Sequence, residues 1–476
     1  METLQRTANR GSVSTGYNID NSVKLEADNT EYLNRVIASG GNRKTWTISA
    51  WVKRTEISDA SHGGGHTIFG VNVSGNEGTI VRFNTGTTAA TLDTIQIDIG
   101  AGGTLSRSHT SQVFRDTSAW YHIVLAVDTT QSTATDRFKL YVNGELVTSY
   151  YSRNNPALNF DTSNNQADNS CTQHIGAYTV SGTAYGKFCG YIAEVNHVDG
   201  AALAPTAFGE FDDDSGIWIP IEASPTYGTN GFFLDFADSG NLGDDESGNG
   251  LDFTEVNIAA ADQSTDTPTN NFCTLNPLVV YGNALTTGPI EGATKVTGGS
   301  WAGTKGTMGV ENGKWYYEFK TSGGDSIVGI QTDEGVALTG NGHNILSTCG
   351  FYVGTGGEVW IKDSTSGRND RDVTHTFNAS TINGIAINMD DNQISFYQNG
   401  SLVTNGGNID LDGLSNKTVF PFASNYNTTQ EFNFGGYTTI SISSAATDEN
   451  GYGTFEYAPP SGYYALCTKN LAEYGG

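Results

Sequence analysis

Three acidic residues near the start of the chain have the spacing of a paired-carboxylate catalytic site. Glu26, Asp28 and Glu31 follow the pattern E-x-D-x-x-E. Retaining glycoside hydrolysis needs two carboxyl groups about 5 Å apart, one as nucleophile and one as general acid and base. However, Asp28, Asn29 and Thr30 together are typical of a turn, because Asp and Asn side chains hydrogen-bond their own backbone. We therefore expect a turn here and no catalysis.

Two histidines flank a run of three glycines, His62-Gly63-Gly64-Gly65-His66. The run imitates the oxyanion loop of some esterases, and its two imidazoles are potential metal ligands. The chain has no G-x-S-x-G nucleophile sequence, which excludes the hydrolase that such a loop would serve. Two imidazoles without a nearby third ligand type are also a poor metal site. The favoured interpretation is a Gly-rich hairpin loop.

Acidic turns are the candidate metal sites. Asp128 and the run of Asp212, Asp213 and Asp214 offer hard carboxylate oxygens of the kind that Ca²⁺ binds, and residues 244–246 form a second run. Neither run has the spacing of a known calcium loop, so solvated acidic turns are favoured over ligands. Walker loops, dinucleotide fingerprints and zinc ribbons are absent from the sequence. Ca²⁺ is thus the one cofactor that we consider.

Aromatic side chains divide into core candidates and surface candidates. Those on predicted strands are expected to fill the core: Trp46, Trp51, Trp120, Trp315 and Tyr141. Those nearer to predicted turns are the candidate ligand-binding residues: Tyr150, Tyr151, Trp218 and Trp360. An exposed ring at such a position stacks on a sugar or on a protein partner.

The composition narrows the classes of partner. The 476 residues carry 24 basic and 51 acidic side chains, a net charge of −27, so repulsion disfavours binding to nucleic acid or to an anionic membrane. Neither a long apolar run nor a signal peptide is recognisable. We expect synthesis in a cytoplasm without secretion, and no membrane insertion. The five cysteines are expected to be free thiols, with a Cys171–Cys189 disulfide as the alternative.

The elements that must position these residues are strands. Sixty glycines and repeated alternation of apolar and polar residues predict an all-β fold, and Asn143-Gly144 predicts a two-residue hairpin turn. We expect two β-sandwich (jelly-roll-like) domains joined by a Gly/Asp/Asn-rich connector. The predicted segments are an N-terminal arm or anchor at 1–16, a first sandwich at 17–210, a connector packed on the domains at 211–278, and a second sandwich with a C-terminal extension at 279–476.

Five motifs follow one another in the first half of the chain: WTISAWVK at 46–53, WYHIVLAVD at 120–128, FKLYVNG at 138–144, IGA at 175–177 and GYIAEV at 190–195. In this order they resemble the laminin G-like, concanavalin A-like lectin family over residues from about 18 to 208. The resemblance implies a lectin-like sandwich, and such sandwiches often carry a calcium site at a rim.

A second set of motifs lies in the other half: KWYYEF at 314–319, VGI at 328–330, GIAIN at 384–388, ISFYQNG at 394–400, VFPF at 419–422 and FNFG at 432–435. The ordered set resembles a SPRY domain over residues from about 301 to 434. The resemblance implies a different β-sandwich, one that recognises proteins.

The order of the two modules, with DTPTNNF at 266–272 and PPSGYYALC at 459–467, is similar to structural proteins of tailed phages, especially marine ones. This resemblance implies a non-enzymatic virion protein, namely a fibre, tail appendage or capsid decoration, that is assembled in the host cytoplasm. Its expected partners are other virion proteins, a host-surface glycan or receptor, and further copies in a homo-oligomer. The alternatives are a carbohydrate-binding lectin-like protein outside a virion and, less favoured, a glycan hydrolase.

Overall fold

The computed structural model describes residues 16–57, 65–72, 78–86, 88–167, 171–323, 325–332, 348–352, 358–362, 369–372, 381–411 and 417–475. Strands make up 45% of the chain and helices 5%, which confirms the predicted all-β fold. The described chain divides into two compact units, one ending at Thr269 and the other beginning at Asn270. Residues 1–15 of the predicted arm lie outside the described residues.

The first unit contains two eight-stranded antiparallel sheets and two short hairpins. Its strands are β1 (Ser22–Leu25), β2 (Tyr32–Val36), β3 (Thr45–Arg54), β4 (His66–Asn72), β5 (Thr79–Phe83), β6 (Thr94–Ala101), β7 (Thr104–Val113), β8 (Trp120–Asp128), β9 (Phe138–Val142), β10 (Glu145–Leu146), β11 (Tyr150–Ser152), β12 (Thr172–Ile175), β13 (Tyr178–Val180), β14 (Thr183–Tyr185), β15 (Gly190–Asp199), β16 (Gly209–Phe211), β17 (Trp218–Pro220), β18 (Phe232–Leu234), β19 (Thr254–Val256) and β20 (Gln263–Ser264). Short 3₁₀ turns span Ala89–Thr91, Ala134–Asp136, Pro205–Ala207 and Ala260–Asp262.

The first sheet has the strand order β10-β9-β8-β3-β15-β1-β20, with β18 also paired to β15, and the second has the order β11-β7-β6-β5-β4-β12-β2-β19. One apolar core lies between them, with members such as Trp46 and Ile48 from the first sheet and Phe69 and Phe83 from the second. Alternation explains this arrangement, because every second side chain of a strand points to the same face.

The segment predicted as a connector supplies three strands to this sandwich. β18, β19 and β20 pair with β15, β2 and β1 respectively. Asp266 lies just after β20, where its carboxylate accepts a 2.7 Å hydrogen bond from Nζ of Lys53 and a 3.0 Å bond from Nε1 of Trp120. Both Asp266 and Lys53 are fully buried, so this part of the segment is an integral part of the first unit.

The second unit has a seven-stranded and a nine-stranded sheet and a short helix. Its elements are β21 (Tyr281–Gly282), β22 (Leu285–Ile290), β23 (Lys295–Gly298), β24 (Ala302–Lys305), β25 (Lys314–Thr321), β26 (Asp325–Thr332), β27 (Thr348–Tyr352), β28 (Glu358–Lys362), β29 (Asn369–Asp372), β30 (Asn383–Asn388), β31 (Gln393–Gln398), β32 (Ser401–Leu402), β33 (Ile409–Asp410), β34 (Val419–Tyr426), β35 (Thr428–Asn433), β36 (Tyr464–Ala465) and α1 (Thr468–Tyr474). Trp315, Tyr317 and Phe319 alternate along β25 and fill the core of this unit.

Several local predictions can be compared with the structure. Asn143 and Gly144 have φ of 47° and 80°, which confirms the two-residue hairpin turn. The four predicted core tryptophans are at most 8% exposed, whereas Tyr141 is only half-buried. Cys171, Cys189, Cys273 and Cys467 are buried thiols, so the Cys171–Cys189 disulfide is not formed, and the side chain of Cys349 lies outside the described part. In the described residues no helix is long and apolar enough to cross a bilayer.

Candidate functional site

The outer face of the second sheet, which points away from the core, carries two adjacent rows of mostly polar side chains. Residues that lie directly opposite each other on neighbouring strands share a face, so the pairing register defines each row. The first row runs across β7, β6, β5 and β4 as Arg107, Asp98, Ile80 and Gly70. The second row runs across the same strands as His109, Gln96, Arg82 and Thr67. We call these eight residues the polar face.

A carboxylate lies at the centre of the polar face. Nε and Nη2 of Arg107 donate hydrogen bonds of 2.8 and 2.9 Å to the two oxygens of Asp98, and Nε2 of Gln96 donates one of 2.9 Å. The pairing with Asp98 raises the pKa of Arg107. Asp98 and Gln96 are each 2% exposed, whereas the Arg107 side chain is 45% exposed. Arg107 therefore has a fixed orientation while part of its guanidinium faces solvent.

A tyrosine hairpin folds over the glycine end of the polar face. A Cβ at Gly70 would lie 2.9 Å from Cβ of Tyr178 in β13, so only glycine leaves room for this approach. Nη1 of Arg82 donates a 3.3 Å hydrogen bond to the hydroxyl of Tyr178. The ring of Tyr178 stacks on Tyr185 of β14 at 5.9 Å, and Tyr185 is 39% exposed. The hairpin therefore places an accessible aromatic ring beside polar groups.

Two histidines of this sheet are held neutral. Burial lowers the pKa of His109, which lies next to Gln96 in the second row. Burial also lowers the pKa of His174 in β12 to about 4, and its Nε2 lies 3.1 Å from Oγ1 of Thr179. Neutral imidazoles both donate and accept hydrogen bonds, as sugar hydroxyls do. The outer face thus provides fixed donors, acceptors and aromatic rings.

The two adjacent candidate tyrosines have different environments. Tyr150 packs edge-on against Phe138 at the core, and Arg153 lies over both rings at 4.4 and 4.6 Å. Tyr151 is 59% exposed on the edge strand β11, at its irregular pairing with β7, the strand that carries His109. Of this pair, only Tyr151 has the exposure that a stacking platform needs.

Trp218 is buried and does not form an exposed platform, contrary to the prediction. The side chain is 7% exposed, and its ring packs on the outer face of the first sheet beside His122. The sequence around Trp218 does not indicate that the side chain is buried, because its contact, His122, lies on a strand that is distant in sequence. Trp360 lies in β28, and its side chain is outside the described part of the structure.

The acidic calcium candidates close their own turns. Asp128 accepts hydrogen bonds from the backbone N–H and the hydroxyl of Thr130, and Asp212 accepts two from Ser215, which lower its pKa. Asp213 and Asp214 are exposed in the same turn as Asp212. The structure therefore gives Asp128 and Asp212 a local role in turn formation.

The E-x-D-x-x-E segment is the turn that its sequence predicts. The N–H of Thr30 bonds to the carbonyl of Ala27 at 3.1 Å. Glu31 is buried, with its carboxylate 3.0 Å from Nζ of Lys24 and 2.8 Å from the N–H of Glu26. Burial raises the pKa of Glu31. These contacts hold Glu31 inside the protein.

A concavity lies on the outer side of the first sheet, with a volume of about 480 Å³. Its wall is mainly aliphatic and includes Val198, Leu203, Ile221 and Pro225, with Glu222 as a charged residue. This lining offers few hydrogen-bond donors, so the polar face remains the better candidate for a polar ligand.

The polar face was not among the predicted sites. Its residues are scattered over residues 67–109, and the sequence signal for them is the alternation of polar and apolar residues along β6. The pairing register, which brings Arg107 opposite Asp98, is a property of the tertiary structure.

Comparison with known proteins gives one family and several solved structures. Residues 25–205 match the family described as the Concanavalin A-like lectin/glucanases superfamily. A candidate carbohydrate binding protein from Bacteroides ovatus ATCC 8483 is 17% identical, with 50% of this chain and 58% of that chain covered and a TM-score of 0.35. The SPRY domain of human HERC1 is 14% identical, with 35% and 99% covered and a TM-score of 0.27.

A heptameric SAP-like pentraxin from Limulus polyphemus is also 14% identical, with 39% of this chain and 78% of that chain covered and a TM-score of 0.28. No curated protein sequence matches the chain. The family match spans most strands of both sheets of the first unit, from the end of β1 to the turn after β15. Residues 25–205 are therefore similar to the concanavalin A-like family.

Proposed function

We propose that the protein is a non-enzymatic binding protein that recognises a glycan through the polar face. The observation that carries the proposal is the fixed Arg107–Asp98–Gln96 group on a sheet over which a hairpin with the exposed ring of Tyr185 folds. A guanidinium donates parallel hydrogen bonds to neighbouring oxygens, and an aromatic ring packs against the C–H face of a sugar. The family description of residues 25–205, which includes lectins, supports the same class of ligand.

The absence of catalysis is part of the proposal. Glu26, Asp28 and Glu31 match the E-x-D-x-x-E motif of glycan hydrolysis, and Glu31 is held by Lys24 in the interior. Asp98 is likewise engaged by Arg107 and Gln96. These carboxylates bind their neighbours, so they support a rigid binding surface better than a reaction centre.

A glycan array with the full chain tests the proposal, run once with Ca²⁺ and once with chelator. Arg107→Ala and Tyr185→Ala should each weaken the affinity for the selected glycan at least about tenfold. This is the effect expected from the loss of one charged hydrogen bond or one stacked ring. Arg115→Ala is the matched control, because Arg115 is 49% exposed and also pairs with a buried carboxylate, that of Asp93. Arg115→Ala should bind as the wild type does. Binding that survives both test substitutions would place the site elsewhere.

For the place of action we propose a phage virion, as a fibre, tail appendage or capsid decoration. The support is the order of the two modules in the chain, which is similar to that of structural proteins of tailed phages. Homo-oligomers on a particle would raise the avidity for a repeated host glycan without any new contact. Mass spectrometry of purified virions of the encoding phage tests the proposal. Absence of the chain from the particles would leave a lectin-like protein that acts outside a virion.

A further inference from the structure

A cluster of potential metal ligands lies at one end of the first unit. Glu56 follows β3, His66 begins β4, and Cys189 directly precedes β15. One donor atom from each of these three side chains lies within 4.8 Å of the others. Within the described residues, no other set of three His, Cys, Asp or Glu side chains meets this distance.

A fourth side chain adjoins the cluster. Sγ of Cys189 donates a 3.5 Å hydrogen bond to Oε1 of Glu26, which follows β1. Nε2 of His66 lies 4.0 Å from Oε2 of Glu56. Tetrahedral zinc, with bonds of about 2.0–2.3 Å, places its ligand atoms roughly 3.3–3.8 Å apart. The separations of 3.5 Å and 4.0 Å are close to this range.

The cluster is buried and rich in negative potential. His66 and Cys189 are fully buried, Glu26 is 1% exposed, and the Glu56 side chain is 16% exposed. Glu26 adjoins the thiol of Cys189, and Glu56 adjoins the imidazole of His66. Burial, together with the two carboxylates, raises the pKa of the Cys189 thiol well above its usual range.

The types of ligand atom in the cluster indicate which metal ion would bind. Ca²⁺ and Mg²⁺ take oxygen ligands and do not favour sulfur or imidazole. One thiolate, one imidazole and carboxylates suit a borderline divalent ion, and Zn²⁺ is the commonest ion with this ligand set. A divalent cation would displace the thiol proton to solvent on binding.

We propose that Glu56, His66 and Cys189 form a structural Zn²⁺ site, with the carboxylate of Glu26 beside the thiol. Glu26, Glu56 and Cys189 belong to strand ends of the first sheet, whereas His66 begins a strand of the second sheet. The ion therefore cross-links the two sheets of the sandwich at one end. Such a link stabilises the folded unit, since the unfolded chain has no preformed site.

The test uses the purified full chain. Elemental analysis should find about one zinc ion per chain, and the melting temperature should fall when a chelator removes it and recover when Zn²⁺ is returned. Co²⁺ added in place of Zn²⁺ should give a thiolate-to-cobalt charge-transfer band in the near ultraviolet. Cys189→Ser and His66→Gln should each reduce the bound metal to background, and Cys189→Ser should abolish the band.

The matched control is Cys171→Ser, since Cys171 is also a fully buried thiol of the same unit. This variant should keep the zinc and the cobalt band. The proposal would be overturned if the wild-type protein contains no zinc, gives no thiolate band with Co²⁺, and has the same melting temperature with and without chelator. The wild-type measurements decide the matter even where Cys189→Ser or His66→Gln does not fold.

Discussion

The indole Nε1–H of Trp218 donates a 2.9 Å hydrogen bond to Nδ1 of His122, and the two rings stack at 5.9 Å. Because Nδ1 accepts, the proton of the imidazole is on Nε2, which lies 2.8 Å from Oγ of Ser49. Burial lowers the pKa of His122 to about 3, so the ring stays neutral. On its other side His122 stacks on Trp51 at 4.6 Å. The segment that carries Trp218 is thereby fixed to the first sheet.

The contact of Trp218 with the Asn143-Gly144 turn predicts a large effect of Gly144→Ala. A Cβ at Gly144 would lie 2.2 Å from the Trp218 ring, and its φ of 80° is already unfavourable for alanine. We expect a loss of about 2–4 kcal/mol in the free energy of unfolding, measured by denaturant titration. Gly102→Ala is the control, because Gly102 has φ of 56° with nothing within 4 Å of an added Cβ. It should lose only about 1 kcal/mol, and equal losses would exclude the Trp218 contact as the cause.

Removal of the Asp266 carboxylate should strongly destabilise the first unit. Asp266→Ala would leave Nζ of Lys53 buried without the carboxylate that lies 2.7 Å away. Removing one partner of a buried ion pair lowers the free energy of unfolding by about 3–5 kcal/mol. Asp161→Ala, which removes an exposed pair with Lys44 at 3.8 Å, should change stability by less than about 1 kcal/mol. The double variant Lys53→Met/Asp266→Leu should recover most of the loss, and thermal unfolding of all four proteins measures the difference.

Glu194 should give the first unit a pH-dependent stability. Glu194 is 4% exposed, has a φ of 46° at an irregularity in the β15–β3 pairing, and accepts a hydrogen bond from the hydroxyl of Tyr17. Burial raises its pKa from 4.5 to about 7. Between these two values the folded state holds a proton that the unfolded state has released. The stabilisation that Glu194 contributes to the folded state is therefore fully present below about pH 4.5 and is lost as the pH rises through 7.

The shift corresponds to about 3 kcal/mol from this one carboxyl group. Glu194→Gln should flatten the decline in unfolding free energy between pH 4.5 and 7, whereas Glu145→Gln, at an exposed position, should leave it unchanged. The measurement is denaturant unfolding at half-unit pH steps. An identical pH profile for wild type and Glu194→Gln would contradict the assignment.

In the second unit, Glu318 should hold the C-terminal segment. Its carboxylate accepts 2.9 Å hydrogen bonds from the N–H groups of Glu456 and Tyr457 and a 3.0 Å bond from Nδ2 of Asn433, and burial raises its pKa to about 7. Glu318→Ala leaves these donors without their acceptor, which should cost about 2–4 kcal/mol. Hydrogen exchange at the amides of Glu456 and Tyr457 should accelerate strongly. The exposed Glu311 is the control, and equal exchange in Glu311→Ala and Glu318→Ala would refute this role.

The sequence by itself determined the local features. Alternation of apolar and polar residues predicted β3 and β8, and Asn143-Gly144 predicted their neighbouring hairpin turn, because backbone conformation depends mainly on adjacent residues. The same local chemistry identified residues 28–30 as a turn. The burial of Trp46 and Trp315 followed from their place on apolar strand faces.

Only the tertiary structure decided which distant residues meet. Trp218 was predicted as exposed because its partner, His122, lies on a strand that no local pattern links to it. The polar face depends on the register that sets Arg107 opposite Asp98, and the proposed zinc site depends on strand ends as far apart as His66 and Cys189. A strand pattern specifies the face of each side chain, but it does not specify which strand lies next to it. That choice is made when the two sheets bury their common core.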